Sequence, residues 1–537
     1  MRYSCAVILT LAIFAASAPA WADDLAALRA LPVLQDGRIK PFDTAAREVV
    51  QSVCHCESMD GHDAVELAFD WTARPWDWEA KPVIYIGSPQ LHDALGVPRS
   101  QSRVSPAALH ENAESLNKLT GGEADALRER LATFDLGASD HLFLMAPGPT
   151  PTADWIALPD ANAELLVPWR AALHAWAAND PRATQEALVA FGDRLWNSSG
   201  GQAGHSAYDR GKLDREVLYN RAQPFEIAAW GYAIALLVLC ASFRFQFRVM
   251  SLAGIALLAI AVLINAGGFV ARCLITGWAP VTNFFETVLW VAAVSATISL
   301  LLSVRAMRRF PRQPPTAAAC GALIGLVAAI IGAGLPADYG SSFRSLPLAL
   351  RTNFWLTLHV LTIVSSYGAL AISMVAGNML LAQASLRNVK QSAIDSAAHL
   401  VDRSVQIGLT LAIAGTLLGA LWADMAWGRF WGWDPKEVWA LIIILAYLAL
   451  LHLRISHRLD DIEMAAGATA CFATVLMSWY GVNFVLAAGM HSYGFERGAA
   501  GTYAVAGYLI LQLAFTAFAF ARHRRQAAQM DAREVCG

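Results

Sequence analysis

With 537 residues, of which 56% are hydrophobic and only 15% charged, and a positive mean hydropathy, the chain is too apolar for an ordinary soluble protein and reads as a polytopic membrane protein. The formal net charge of -3 indicates no nucleic-acid partner, and in a membrane protein the placement of Lys and Arg says more than their sum. The eight cysteines show neither a zinc spacing nor Cys-x-x-Cys-His, which excludes a covalent-haem signature within the chain itself.

Met1 to Ala22 combines Arg2, a short apolar core from Cys5 to about Ala16, and Ala20-Trp21-Ala22 before Asp23-Asp24. That pattern predicts a cleavable secretory signal over residues 1–22; an uncleaved anchor is the alternative, against which the apolar run is short for a spanning helix. Residues 23–223 have the charge, Pro and Gly content of a soluble domain, which the upstream signal places outside the cytoplasm. Its expected fold is mostly helical: Asp43 caps a helix from Thr44 to Val53, Pro82 to Gly87 forms a short buried strand, and Glu164 to Ala178 and Arg182 to Trp196 are helices. Ser198 to Gly204 reads as a flexible loop by composition. Cys54-His55-Cys56 offers two thiols and an imidazole, a set suited to a soft metal or to thiol exchange. Cysteines two apart on a helix point to different faces, however, so an ordinary exposed or disulfide-bonded pair is the expectation.

After Pro224 nine apolar segments follow, at about 225–243, 249–270, 282–304, 317–335, 356–384, 404–423, 436–453, 464–487 and 502–521, each long enough to cross ~30 Å of hydrocarbon. If the chain enters from outside, the inner connections carry Arg244 and Arg248; Arg305, Arg308, Arg309 and Arg312; Arg387, Lys390 and Arg403; Arg454 and Arg458; and Arg522, Arg524, Arg525 and Arg533. The outer ones carry only Arg272; Arg344 and Arg351; Arg429 and Lys436; and Arg497. This bias agrees with the signal and puts the carboxyl terminus in the cytoplasm. Gly321 and Gly325 give the fourth span a small-xxx-small face for close helix packing. Asn283 and Glu286 share one face at the outer start of the third span, where Glu286 could pair with Arg272.

No histidine lies between His205 and His359, so the first four spans contain none. His359 falls just inside the outer end of the fifth span, which at about 43 Å for some 29 residues must tilt or protrude. Residues 422–439 then concentrate Trp422, Trp427, Trp431, Trp433 and Trp439 with Phe430, Gly428 and Gly432. An interfacial aromatic belt accounts for two or three tryptophans but not for this spacing. Asp434-Pro435-Lys436-Glu437 reads as a helix start with Asp434 as N-cap, Pro435 at the first helical position and Glu437 completing a capping box. The stretch is thus an outward aromatic shelf, with backbone that a large planar ligand can approach, opening into a membrane helix. His452 lies ~25 Å further down that helix, near the inner side; an ionisable residue there is a functional candidate, and its bland reading is a snorkelling side chain. His491, in the outer loop after the eighth span, flanks the shelf on the same side as His359. Two imidazoles facing across an aromatic bed suit axial ligation of haem iron, and Arg351, Arg429 and Lys436 are the outward cations nearest to meet its propionates.

Trp-Gly-Arg-Phe-Trp-Gly-Trp-Asp-Pro-Lys-Glu-Val-Trp resembles the tryptophan-rich "WWD" signature of haem-handling membrane proteins, and in wording the CcsA (ResC) family of System II cytochrome c biogenesis. The resemblance covers about residues 224–522, and Leu31 to Pro41 resembles, less specifically, a leader seen ahead of that part in longer members. It implies an all-α polytopic protein of about nine transmembrane helices in the cytoplasmic membrane, with an N-terminal, mostly helical extracytoplasmic domain. It further implies that b-type haem, as a transported substrate, enters at His452 and is presented between His359 and His491 beside Trp422, Trp427, Trp431, Trp433, Asp434 and Trp439. The implied outcome is attachment to the Cys-x-x-Cys-His thiols of apocytochrome c. The implied partners are a CcsB (ResB)-like membrane subunit donating a histidine opposite His452, apocytochrome c, and a thioredoxin-like thiol reductant. A System I-type haem-delivery protein and a membrane b-type electron carrier stay open as alternatives.

Overall fold

The computed structural model describes residues 25–147, 154–199, 208–245, 247–309, 314–335, 343, 354–386, 391–486, 489 and 499–536. The expected signal, the Ser/Gly loop beyond Ser199, Arg351 and His491 lie outside the described residues. Those described fall into two compact units, one running to Gln223 and including Phe343, the other beginning at Pro224.

In the first unit, β1 (Pro32–Gln35) and β2 (Arg38–Pro41) pair antiparallel across Asp36 and Gly37. Both turn residues have positive φ, 53° and 70°, the conformation for which an Asp-Gly hairpin turn is suited. The strands join β3 (Leu144–Ala146) and β4 (Ile156–Ala157) in a sheet of order β2-β1-β3-β4. Helices dominate: α1 (Phe42–Cys54), α2 (Ala64–Ala73), α3 (Gly122–Ala138), α4 (Ala163–Ala177), α5 (Pro181–Ser198) and α6 (Arg210–Ala222). The fourth and fifth fall where helical spacing predicts them, and Ile84–Tyr85 pairs with Arg103–Val104 as the expected short strand.

The core gathers Phe69, Trp71, Trp78, Phe134, Trp169 and Phe191. At its edge the buried carboxylate of Asp70 accepts from the indoles of Trp78 at 2.7 Å and Trp176 at 2.6 Å and from Arg74 Nε at 2.7 Å, so polar atoms carried in by large rings are satisfied. Asp43 does not cap α1. The helix begins one residue earlier with Pro41 before it, and Asp43 sits fully buried inside its first turn, accepting from Arg29 at 2.9 Å, Arg47 at 3.0 Å and Asn220 at 2.9 Å. Tertiary partners outcompete the local cap. Cys54 and Cys56 do not share a helix either: α1 ends at Cys54, and His55 takes the left-handed conformation at φ 49°.

The second unit is a bundle in which nine helices among the described residues are long and apolar enough to cross a membrane. They include α7 (Pro224–Phe245), α8 (Arg248–Thr276), α9 (Phe284–Arg309), α10 (Thr316–Ala333), α11 (Phe354–Ser385), α12 (Gln391–Trp427) and α13 (Pro435–Ile455). Next, α14 (Asp461–Leu476) widens into π-helical turns over Met477–Leu486, and α15 (Ala499–Cys536) closes the chain. The chain is thus a polytopic helical membrane protein, with every expected span matched by a helix. Gly321 and Gly325 do serve packing: a Cβ would stand 2.5 Å from Ser299 on α9 and 2.8 Å from the Tyr232 ring on α7. Arg272 and Glu286 form a buried pair at 2.6 Å.

Candidate functional site

At one end of the bundle the starts of α9, α11 and α13 meet the end of α12 and the π-helical turns, and they enclose a cavity of about 220 Å³. Its walls are mainly apolar, from Phe284, Val360, Ile363, Tyr367, Trp422, Trp431 and Trp479, with His359, Lys436, Glu437 and Asn483 as polar groups. An apolar cleft with a few convergent polar groups is the form expected of a site for a mostly hydrophobic ligand.

His359 is held from behind. Its Nδ1 lies 2.7 Å from the carbonyl oxygen of Gly415 on α12, and because a carbonyl can only accept, Nδ1 carries the proton. In the neutral ring Nε2 is then the lone-pair nitrogen, the tautomer a metal-ligating imidazole needs. Two glycines make this possible. A Cβ on Gly415 would stand 2.9 Å from the Ile363 backbone, and one on Gly419 only 2.5 Å from His359 Cε1 and 2.6 Å from Nδ1. Gly415-x-x-x-Gly419 therefore lets α12 approach α11 closely and leaves room for the ring. Gly419→Ala should improve intrinsic helix propensity by about 1 kcal/mol while forcing the imidazole off Gly415. If His359 ligates haem, the expected result is unchanged helicity by circular dichroism and about tenfold less haem per chain, as for loss of an orienting partner; full haem content would show that the ring's seat is not needed.

The loop before α13 is built around Glu437. Asp434 is buried and accepts from Lys436 N at 3.0 Å, and the expected capping box is present. One Glu437 oxygen, Oε2, accepts from Asp434 N at 3.1 Å and Gly432 N at 2.8 Å, while Oε1 lies 3.6 Å from Arg429 NH1. The guanidinium lies across Gly432, where any Cβ would collide with it. Trp433 is held at φ 57°, a left-handed conformation that costs about 1–2 kcal/mol in a non-glycine residue. The Asp434 cap is also packed against Gly489, at φ 97°, where a side chain would meet Asp434 Oδ2 and Pro435.

The tryptophans do not form one flat bed. Trp422 and Trp427 meet edge-on at 4.6 Å and 64°, and Trp431 and Trp433 at 6.0 Å and 89°, as ring quadrupoles prefer. Trp422 and Trp431 line the cavity, whereas Trp427, Trp433 and Trp439 do not, and Trp433 is 69% exposed. Helix α12 continues to Trp427, which turns Trp422 inward. His452 is exposed on the far part of α13, away from the cavity, and His491 lies outside the described residues. Among the expected cations, Lys436 reaches the cavity, its Nζ donating to Ser478 O at 2.9 Å and Asn483 Oδ1 at 2.8 Å. Arg429 is engaged with Glu437.

Sequence reasoning does not single out Gly419, Trp479, Asn483 or Tyr367. Asn483 had a signal, an amide in an otherwise apolar span, and Gly415-x-x-x-Gly419 had another. The π-helical widening had none; it accompanies a tie from Trp479 Nε1 to Thr287 Oγ1 at 3.0 Å and a Ser478 carbonyl met by Lys436. On the opposite wall, Glu286 Oε2 accepts from Thr282 N at 2.7 Å and Thr282 Oγ1 at 2.9 Å. That grip fixes the turn in which Val281, at φ 71°, lines the cavity against the strong steric preference of a β-branched residue.

A family profile described as "Cytochrome C assembly protein" matches residues 218–491. Among similar proteins, NrfI of Wolinella succinogenes is 28% identical over 507 residues, 85% of this chain and 53% of its own length; the chain spans about half of that relative. The CcsA protein of Synechococcus sp. (strain CC9605) is 30% identical over 305 residues, covering 50% of this chain and 98% of that protein. The CcsA protein of Prochlorococcus marinus (strain MIT 9301) is 34% identical over 254 residues, or 42% and 80% of the two chains. A solved structure of the cytochrome c haem lyase CcmF aligns over 56% of this chain and 50% of its own at a TM-score of 0.39 and 15% identity, a likeness too slight to support an argument. With the matched region spanning the histidine-bearing cavity and the tryptophan loop, the chain belongs to the cytochrome c assembly protein family, among the CcsA proteins.

Proposed function

We propose that this chain is the CcsA-like part of a System II cytochrome c synthase. It carries b-type haem outward through the bundle, presents it at the cavity beside His359, and supports its attachment to the Cys-x-x-Cys-His thiols of apocytochrome c. The observation that carries this reading is the His359 imidazole, oriented by the contact of its Nδ1 with Gly415 O and lining an apolar cavity. His359 would hold one axial position of the substrate iron and His491 the other. Trp422 and Trp431 supply apolar ring faces. When charged, Lys436 Nζ has three protons, two of them engaged by Ser478 and Asn483, and the third would suit a haem propionate. Attachment adds each thiol across a vinyl group, sulfur to one carbon and hydrogen to the other, so no external oxidant enters the balance.

The signal-like leader and the arginine bias support a cytoplasmic-membrane location with residues 23–223 outside. The exposure of His452 on α13, a helix with only Ile443, Tyr447 and Leu450 buried, suits ligation completed by a CcsB-like subunit. A thioredoxin-like reductant would deliver apocytochrome with reduced thiols. The test is to purify the full chain, alone and with that subunit, and record the absorption spectrum. Haem is expected in both, with more in the complex as the second site fills. A chain free of haem under both conditions would end the proposal.

A further inference from the structure

The end of α1 places two sulfurs together. Cys54 closes the helix, its thiol fully buried and 3.0 Å from the Val50 carbonyl. Residues two apart on a continuous helix sit about 200° apart around its axis. Here His55 breaks the helix at φ 49°, a conformation histidine tolerates better than most residues, and the chain doubles back. Cys56 Sγ then stands 2.9 Å from Cys54 Sγ, so a disulfide at about 2.05 Å needs only ~0.9 Å of further approach.

The turn is braced. His55 stacks on Tyr85 at 4.0 Å and 12°, Arg130 spans the pair, donating to Tyr85 O at 3.3 Å with its NH2 3.5 Å from His55 Nε2, and Arg103 Nε donates to Cys54 O at 2.8 Å. Two arginines thus stand beside the turn, and Cys56 is half-buried, the more accessible sulfur of the two. Burial, with the neighbouring Cys56 adding to it, pushes the Cys54 thiol well up, and Arg103 opposes that rise.

We infer that Cys54 and Cys56 form a redox-active dithiol couple whose substrate is the disulfide of a peptide with closely spaced cysteines, the oxidised Cys-x-x-Cys segment of apocytochrome c. The choice of that peptide rests on the function proposed above; the couple itself does not. Cys56 thiolate attacks one substrate sulfur. A bond forms between them, the substrate disulfide breaks, and the released substrate thiolate takes a proton from water. Cys54 then loses its proton to water and attacks Cys56 Sγ. The internal disulfide forms, the mixed disulfide breaks, and the second substrate thiolate leaves and is protonated. Two electrons pass from the protein pair to the substrate pair, and an extracytoplasmic dithiol donor must reset the couple. Once Cys56 is in the mixed disulfide it can no longer repel a Cys54 thiolate, so the buried thiol becomes easier to ionise when it is needed.

The test uses the purified full chain. Trypsin, which does not cleave before Pro75 or Pro82, releases Glu48 to Arg99 with Cys54 and Cys56 as its only cysteines. After equilibration across dithiothreitol ratios, that peptide is expected to exist only as a dithiol or as a form about 2 Da lighter, converting in one two-electron step. Cys54→Ala, challenged with an oxidised Cys-x-x-Cys-His peptide, should trap about tenfold more mixed disulfide at Cys56 than Cys56→Ala traps at Cys54. Independent oxidation of the two thiols in the wild-type chain would overturn the couple, whether or not a variant folds. A couple that titrates as expected but yields no mixed disulfide with the peptide would overturn the assigned substrate. Haem content distinguishes either failure from failure of the haem reading, because the couple holds no haem.

Discussion

Replacing His359 with alanine is expected to leave the chain folded and inserted, to cut the haem that copurifies with it by at least about tenfold, and to stop cytochrome c maturation. The ring is half-buried on α11, and its Nδ1 bond to Gly415 fixes its orientation without supporting the backbone of either helix. Removing it exposes the Gly415 carbonyl and leaves a space beside Gly419, a cost of about 1–3 kcal/mol spread over an extensive bundle. Expression and circular dichroism should therefore change little while the haem spectrum is lost. His359→Gly sharpens the test, because added imidazole can enter the vacated seat against Gly419 and return a nitrogen ligand to the iron. Recovery of the spectrum with imidazole would identify the lost group as the ligand. An unchanged spectrum in His359→Ala would remove the central residue from the site.

How far such a site is legible beforehand depends on the range of the forces that build it. The spans are readable because the membrane demands an uninterrupted apolar helix wherever the chain crosses, and α7 to α15 follow. The start of α13 is readable for the opposite reason: Asp434, Pro435 and Glu437 settle it within four residues. Asp43 offers the same local signal and fails, because Arg29, Arg47 and Asn220 claim its carboxylate from elsewhere in the chain. The tryptophans are conspicuous in sequence, yet which of them face the cavity is decided by where α12 ends and by the left-handed turn at Trp433. Cys54 and Cys56 show the same limit, since one φ angle at His55 reverses the conclusion that helix geometry suggests. The seat of His359 lies on a different helix some 60 residues later, where Gly419 reads in sequence as one small residue among many.

Glu437 carries the second large effect, and two substitutions separate its roles. Its carboxylate accepts from the backbone of Gly432 and Asp434, completes the cap of α13, and faces Arg429 across the loop. Glu437→Ala removes all of these at once. The cap alone is worth about 0.5–2 kcal/mol, and two backbone N–H groups lose their acceptor. The left-handed turn at Trp433, which costs about 1–2 kcal/mol to hold, then has less to hold it, and Trp431 should leave the cavity wall. Haem retention is expected to fall about tenfold, with a rise in protease cleavage after Arg429. Glu437→Gln keeps an oxygen acceptor of the same reach, and glutamine serves a capping box as glutamate does; it loses only the charge opposite Arg429, which at a partly exposed pair is worth about 0–1 kcal/mol. The glutamine variant should therefore retain most of the haem and resist cleavage like the parent chain. If it instead loses haem as fully as the alanine variant while its loop stays protected, the negative charge itself is required at the cavity, and the loop's architecture is not what Glu437 contributes.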